Sequence, residues 1–222
     1  MAYLLSFPRC GNTWVSEMLF FYCREIYNGI GEVEPGLRPE QIQKGTLPKR
    51  FNHLAVGDYS WCEFYRHCRK SPCPKERKIS IQKNHDLQLF EKPQKPLYYD
   101  PNEKYIILIR NPIHSIISWY EYQKKIDPWK PFSRSRAKFW NKFTRKWVLP
   151  KHKNALYVHY ESLVTDTNAQ LERIIKFVGL PLETKHLQFK PFDKIRTLDG
   201  SYDTKEIEDI TKPLYSKLLA EI

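Results

Sequence analysis

The chain has 222 residues, of which 41% are hydrophobic and 14% aromatic, and carries a formal net charge of +12. That length and apolar content fit one folded domain with a sizeable core and exclude a disordered chain. The charge calls for an anionic partner, and no apolar run reaches the roughly 18 residues a membrane span needs.

The first apolar segment, "YLLSF" at 3–7, reads as a buried strand and passes through "PRCGN" into an apolar helical pattern over 13–27. There Trp14, Met18, Tyr22 and Ile26 form one stripe, with Val15, Leu19 and Cys23 beside it. Pro8, Arg9 and Asn12 interrupt the apolar start, so it does not read as a signal peptide. With Met1 as the true start, the expected location is cytoplasmic and the thiols reduced.

Strand, Gly-containing loop and helix is the arrangement in which backbone N–H groups and a helix N-terminus hold a phosphate. Set against the ATP-type loop G-x-x-x-x-G-K-[ST], Ser6 takes the first Gly position, Gly11 the second, Asn12 the Lys position and Thr13 the hydroxyl position. The anion-binding backbone is kept, but the Lys that reaches a β/γ-phosphate is lost. A cation, Arg9, stands inside the loop instead. Cys10 does not open a cysteine-phosphatase loop, because Ser16 stands six residues on where an Arg is needed. A thiol there would be acidified by the helix N-terminus.

Residues 28–78 are rich in Pro, Gly and aromatics and read as an irregular insertion or lid, not a second domain. Cys62, Cys68 and Cys73, near His53 and His67, lack the tight C-x2-C pairs that zinc wants, so no metal is expected. Phe51, Tyr59, Trp61, Phe64 and Tyr65 are equally suited to an acceptor pocket and to core packing.

"ISIQK" at 79–83 reads as a second strand that runs out at Lys83, with His85 two residues later. An imidazole is suited to taking a proton near neutral pH, and a neighbouring cation to steadying developing anionic charge. Asp86 stands next in line, but adjacent residues seldom meet as an oriented pair. "YIILI" at 105–109 is apolar without alternation, as a parallel strand covered on both faces must be. It ends in Arg110, Asn111-Pro112 breaks it, and the helix pattern over 113–125 carries Ser118. A guanidinium fork and a hydroxyl together suit a phosphate monoester. No Asp stands at the strand end, where an ATPase would hold magnesium.

Residues 124–153 contain eleven Lys or Arg and one Asp, with Phe139, Phe143 and Trp147 at i, i+4 and i+8. This is in part an amphipathic helix with a basic outer face, suited to steering an anionic ligand or to solvation alone. "ALYVHY" at 155–160 is the fourth strand, followed by a helix over 167–178 that Gly179 and Pro181 end. The whole reads as a single α/β domain over 1–222, with a central parallel sheet flanked by helices and a P-loop-like strand–loop–helix at its N-terminus.

Four of these segments together resemble the sulfotransferases that use 3′-phosphoadenosine 5′-phosphosulfate (PAPS) and release adenosine 3′,5′-bisphosphate (PAP). "SFPRCGNTW" is similar to their loop [YF]-P-K-S-G-T-T-W, with Arg9 for Lys, Cys10 for Ser and Asn12 for Thr. "QKNH" is similar to their K-T-H segment, "IRNP" followed by Ser118 to their 3′-phosphate motif, and "YESL" with a later "GLP" to their Y-E-D-L segment. The resemblance implies His85 as general base, with Lys83 and Arg9 as the cations at the moving sulfuryl group. It implies a cofactor site from Arg9, Cys10, Gly11, Asn12, Thr13, Trp14, Arg110, Ser118 and Tyr160. Arg196 and Gly200, in "KIRTLDG", are all that stands for the family's R-K-G segment.

The reaction so implied moves a sulfuryl group to a hydroxyl, or secondarily an amine, on a small-molecule or glycan acceptor. The basic run suits an anionic one, while nucleic acid is not an expected partner. A P-loop kinase of a small alcohol or nucleotide is the competing enzyme class, and a basic nucleic-acid-binding protein the non-enzymatic one. Neither accounts for four motifs in this order.

Overall fold

A computed structural model of the chain describes residues 2–27, 81–86, 97–189 and 201–220. The expected insertion at 28–78 lies outside them, as do Arg196 and Gly200. Four parallel strands form one sheet: β1 (Ala2–Ser6), β2 (Ile81–Asn84), β3 (Lys104–Ile109) and β4 (Ala155–His159), in the order β2-β1-β3-β4. Each lies within two residues of its expected bounds.

Helices flank the sheet, as the strand–helix alternation requires. They are α1 (Asn12–Tyr27), α2 (Pro112–Tyr122), α3 (Trp129–Phe143), α4 (Tyr160–Thr165), α5 (Thr167–Val178) and α6 (Lys205–Leu219). A π-helical turn over Thr144–Val148 follows α3 directly. None of the described helices is long and apolar enough to cross a membrane.

The core sits on both faces of β1 and β3. Leu4, Leu5, Ile106, Ile107 and Leu108 have no exposed surface, which explains why "YIILI" shows no alternation. Each such side chain contributes roughly 1.5–3 kcal/mol by leaving water. The stripe expected in the basic run is real: Phe139, Phe143 and Trp147 are all buried, although Trp147 belongs to the π turn and not to α3.

Strand order fixes where a ligand can sit. From β1 the chain goes to β2 on one side, then crosses to β3 on the other, so the order reverses between β1 and β3. In an open parallel sheet the crevice outside the carboxyl ends at that reversal is the binding position. The loop after β1 and Arg110 after β3 both emerge there. β1 and β3 run in register from Ala2↔Lys104 to Ser6↔Leu108, which brings the two strand ends level.

Candidate active site

The loop from Phe7 to Gly11 joins β1 to α1 with two residues in the left-handed region, Arg9 (φ 67°) and Gly11 (φ 87°). Gly11 is required twice over. A Cβ there would lie 2.9 Å from Tyr160 Cδ2, so the loop packs against Tyr160 at a distance no other residue permits. Beyond it the N–H groups of the first turn of α1 have no intrahelical carbonyl to bond, the arrangement in which helix N-termini hold anions.

The side chains of this loop divide between core and crevice. Asn12 is buried, and its amide donates to the Leu4 carbonyl (3.2 Å) and to Ser6 Oγ (3.0 Å), bracing the loop against β1. Its contribution to an anion is therefore its backbone N–H. Cys10 also faces inward, 3.5 Å from Ser115 Oγ, and burial pushes its thiol up to about 12. The acidified thiol expected at a helix N-terminus does not form, because desolvation outweighs the Ser115 hydrogen bond and the nearby Arg110. Thr13 faces out, and Lys83 Nζ donates to its hydroxyl at 2.7 Å. The end of β2 thus delivers an ammonium to the head of α1.

His85 lies one residue beyond the β2 ladder, whose last pair is Leu5↔Asn84. Its Nδ1 is 2.9 Å from the Ser6 carbonyl and 3.1 Å from Ser6 Oγ. A carbonyl only accepts, so Nδ1 carries the ring proton and Nε2 presents a lone pair. Burial holds the imidazole pKa down at about 4, with further lowering from Lys83 and Arg9, against a raising effect of the Ser6 hydrogen bond. At neutral pH the ring is neutral, protonated at Nδ1 and an acceptor at Nε2.

Arg9, Arg110, Ser118, Trp14 and Tyr160 gather on the other side of the loop. Arg110 Nη1 donates to the Arg9 carbonyl at 2.7 Å, and its guanidinium lies over the Tyr160 ring, 4.1 Å from the centroid. Arg110 Nε is buried with no hydrogen-bond partner. Trp14 meets Tyr160 edge to face at 6.4 Å. Arg9 Nε donates to Ser118 Oγ at 3.3 Å, and its guanidinium rests 4.6 Å from the centre of the Tyr122 ring. Ser118 is placed by α2, whose N-cap Asn111 accepts from Ile113 N–H (2.9 Å) and His114 N–H (3.4 Å), with Pro112 at the first helical position.

The described residues expected at the site gather at the carboxyl ends of β1, β2 and β3, with the side chains of Cys10 and Asn12 turned into the core. Arg9 bridges to Ser118, while its charge still reaches His85. Ser6, Tyr122 and Asp86 were not expected to participate as they do. For Ser6 the signal was its place at the first loop position. Tyr122 falls at i+4 from Ser118, on the same face of α2.

Comparison with known proteins gives the same answer over the whole fold. The family model for the sulfotransferase domain matches residues 2–212. The chain belongs to the sulfotransferase domain family. Among individual sulfotransferases, human sulfotransferase 2B1 is 25% identical over 194 residues, covering 81% of this chain and 46% of the human protein. The mouse sulfotransferase 2B1 is likewise 25% identical, over 199 residues and 50% of its length. The chain thus spans about half the length of these two relatives. Of solved structures, the sulfotransferase domain from the Synechococcus PCC 7002 olefin synthase shares the fold with a TM-score of 0.50 at 17% identity, over 97% of this chain and 94% of that one. The sulfotransferase domain from the curacin biosynthetic pathway does so with a TM-score of 0.51 at 16% identity, over 97% of both.

Proposed function

We propose that the chain transfers a sulfuryl group from PAPS to a hydroxyl, or secondarily to an amine, with His85 as general base. The observation that carries this reading is the Nδ1–H donation from His85 to the Ser6 carbonyl, which leaves Nε2 basic beside an anion-binding loop. Two features of the crevice fit the donor. One is the cradle at Gly11, where a Cβ would meet Tyr160, and the other is the orphaned Nε of Arg110.

The donor supplies, when bound, a sulfuryl group already activated as a phosphosulfate anhydride. The first-turn N–H groups of Gly11, Asn12 and Thr13 hold its 5′-phosphate, Arg110 and Ser118 its 3′-phosphate, and Trp14 and Tyr160 its base. Cys10 contributes through its backbone alone, and Arg196 is assigned to the 3′-phosphate on the resemblance only. His85 Nε2 takes the acceptor's proton. Lys83 and Arg9 provide positive charge for the sulfuryl oxygens and the departing phosphate. Arg9 acts as a fixed cation and not as an acid, since a guanidinium does not deprotonate in proteins.

The acceptor is a small molecule or glycan with anionic groups. Lys130, Arg134, Lys138 and Lys142 are exposed at i+4 intervals along α3, and Arg145 continues them. The next residue, Lys146, bonds to Asp86 beside the base. The reading includes a cytoplasmic location, where the buried Cys10 persists as the free thiol it is.

A thermal-shift panel with PAP, ATP plus magnesium, and an oligonucleotide tests it. PAP is expected to raise the melting temperature most. Selective stabilisation by ATP with magnesium, or by the oligonucleotide, together with no response to PAP, would overturn the reading. Radiolabelled PAPS offered with a panel of anionic glycans and small alcohols then identifies the acceptor.

A further inference from the structure

We infer that Asp86 is a positioning residue for His85, acting through a clamp with Lys146 and Trp147 of the π-helical turn. The inference rests on the reading of His85 as the base. The Asp86 side chain has no exposed surface, and its Oδ2 accepts from Lys146 Nζ at 2.8 Å and from Trp147 Nε1 at 2.6 Å. The carboxylate therefore reaches toward the segment after α3, and its hold on His85 runs through the backbone.

Three further facts say that this anchor holds something under tension. Asp86 has φ 48°, in the left-handed region that Asp tolerates better than most non-glycine residues but still at some cost. Its N–H also donates to Asn84 Oδ1 at 2.6 Å, closing a tight turn around His85. The opposing segment is itself irregular: Leu149 N–H bonds the Thr144 carbonyl across five residues (3.0 Å), and π turns of this kind concentrate at functional sites.

His85 is thus a single residue strung between two fixed points. On one side is the last rung of the β2 ladder at Asn84, and on the other the buried carboxylate of Asp86. His85 lies past the last ladder pair, and its Nδ1 must stay 2.9 Å from the Ser6 carbonyl to keep Nε2 free. Releasing the clamp lets Asp86 leave the left-handed region, and the imidazole turns away from Ser6.

The test reads the His85 ring directly by 15N nuclear magnetic resonance at pH 7, with the signals assigned by comparison to His85→Gln. Wild type is expected to show one neutral tautomer, protonated at Nδ1. In Asp86→Ala that population is expected to fall by about a third or more, while PAP affinity stays within about twofold; misplacement of a reacting group by ~1 Å can cost ~100-fold in rate. Asp86→Asn, whose amide oxygen can still accept from Trp147, is expected to restore most of the wild-type signature. Lys146→Met gives a smaller shift, and because Lys146 is 29% exposed it decides the matter if Asp86→Ala does not fold. An unchanged His85 signature in folded Asp86→Ala, or in Lys146→Met in its place, overturns the proposal. Failure of wild type to bind PAP would strike the sulfotransferase reading instead, since the ring measurement needs no ligand.

Discussion

His85 and Gly11 carry the sharpest predictions at the scale of single residues. Folding lowers the His85 pKa from 6.5 to about 4, so the unfolded chain takes up this proton first as pH falls. Stability contributed through His85 is then lost progressively from pH 6.5 down to about 4 and levels off below. The difference in unfolding free energy between wild type and His85→Gln, from urea titrations, is expected to shrink by on the order of 3 kcal/mol over that range. An equal pH dependence in the two proteins would show that the ring is not held neutral. With His85 as the proposed base, the same shift predicts activity held down to about pH 5 in the pH–rate profile. Gly11→Ala combines a left-handed φ of 87° with a Cβ 2.9 Å from Tyr160, and is expected to lower stability by about 1–3 kcal/mol and to abolish the thermal shift with PAP. The residue types at the candidate site could be proposed from sequence because their chemistry is bound to position: a Gly in a strand–helix loop, a His just past a strand, an Arg at an apolar strand end. Their directions were not. Nothing in "PRCGNTW" says that Cys10 and Asn12 face the core, since that depends on Ser115 and Leu4, which approach from other elements.

Among the elements, helix ends set the positions of functional side chains. The cap of α2 is the clearest case, because Asn111 fixes the start of the helix that carries Ser118. Asn111→Ala is expected to cost about 1 kcal/mol by chemical denaturation and to weaken PAP binding measurably. The far end of α5 supplies the control. Gly179 (φ 85°) closes it with Leu180 N–H on the Ile175 carbonyl and Gly179 N–H on that of Lys176. Space is free there, with Lys104 Nζ the nearest atom at 3.7 Å, so Gly179→Ala should cost about 1 kcal/mol through backbone strain alone and leave PAP affinity unchanged. Strands β3 and β4 and helix α5 were readable from periodicity and stop signals. The helix α6 was not, because Pro213 interrupts its pattern, although Ile207, Leu214 and Leu218 bury one face of it. The π turn likewise has no sequence signature. It shows only as Trp147 keeping a buried place past the end of α3.

For the whole molecule, sheet order and net charge act together. The reversal of order between β1 and β3 opens the crevice at the carboxyl ends, and a net charge of +12 biases encounter with a multiply charged anion toward it. Raising salt from about 50 to 500 mM shortens the Debye length from roughly 14 to 4 Å, and PAP affinity by calorimetry is expected to fall at least several-fold. A salt-independent affinity would mean that the contacts within the crevice do all the attracting. The parallel sheet was legible from four apolar runs joined by helices. Strand order was not, because it is decided by which long connection crosses which neighbour.

The inward-facing sulfur at Cys10 has a practical consequence. A buried thiol whose pKa is raised to about 12 is shielded from alkylation while the loop after β1 is closed over it. Its labelling by iodoacetamide, followed at the peptide level by mass spectrometry, therefore times the spontaneous opening of that loop. The protein carries its own clock for the local breathing of this loop, and any ligand that seats on the first turn of α1 is expected to slow it.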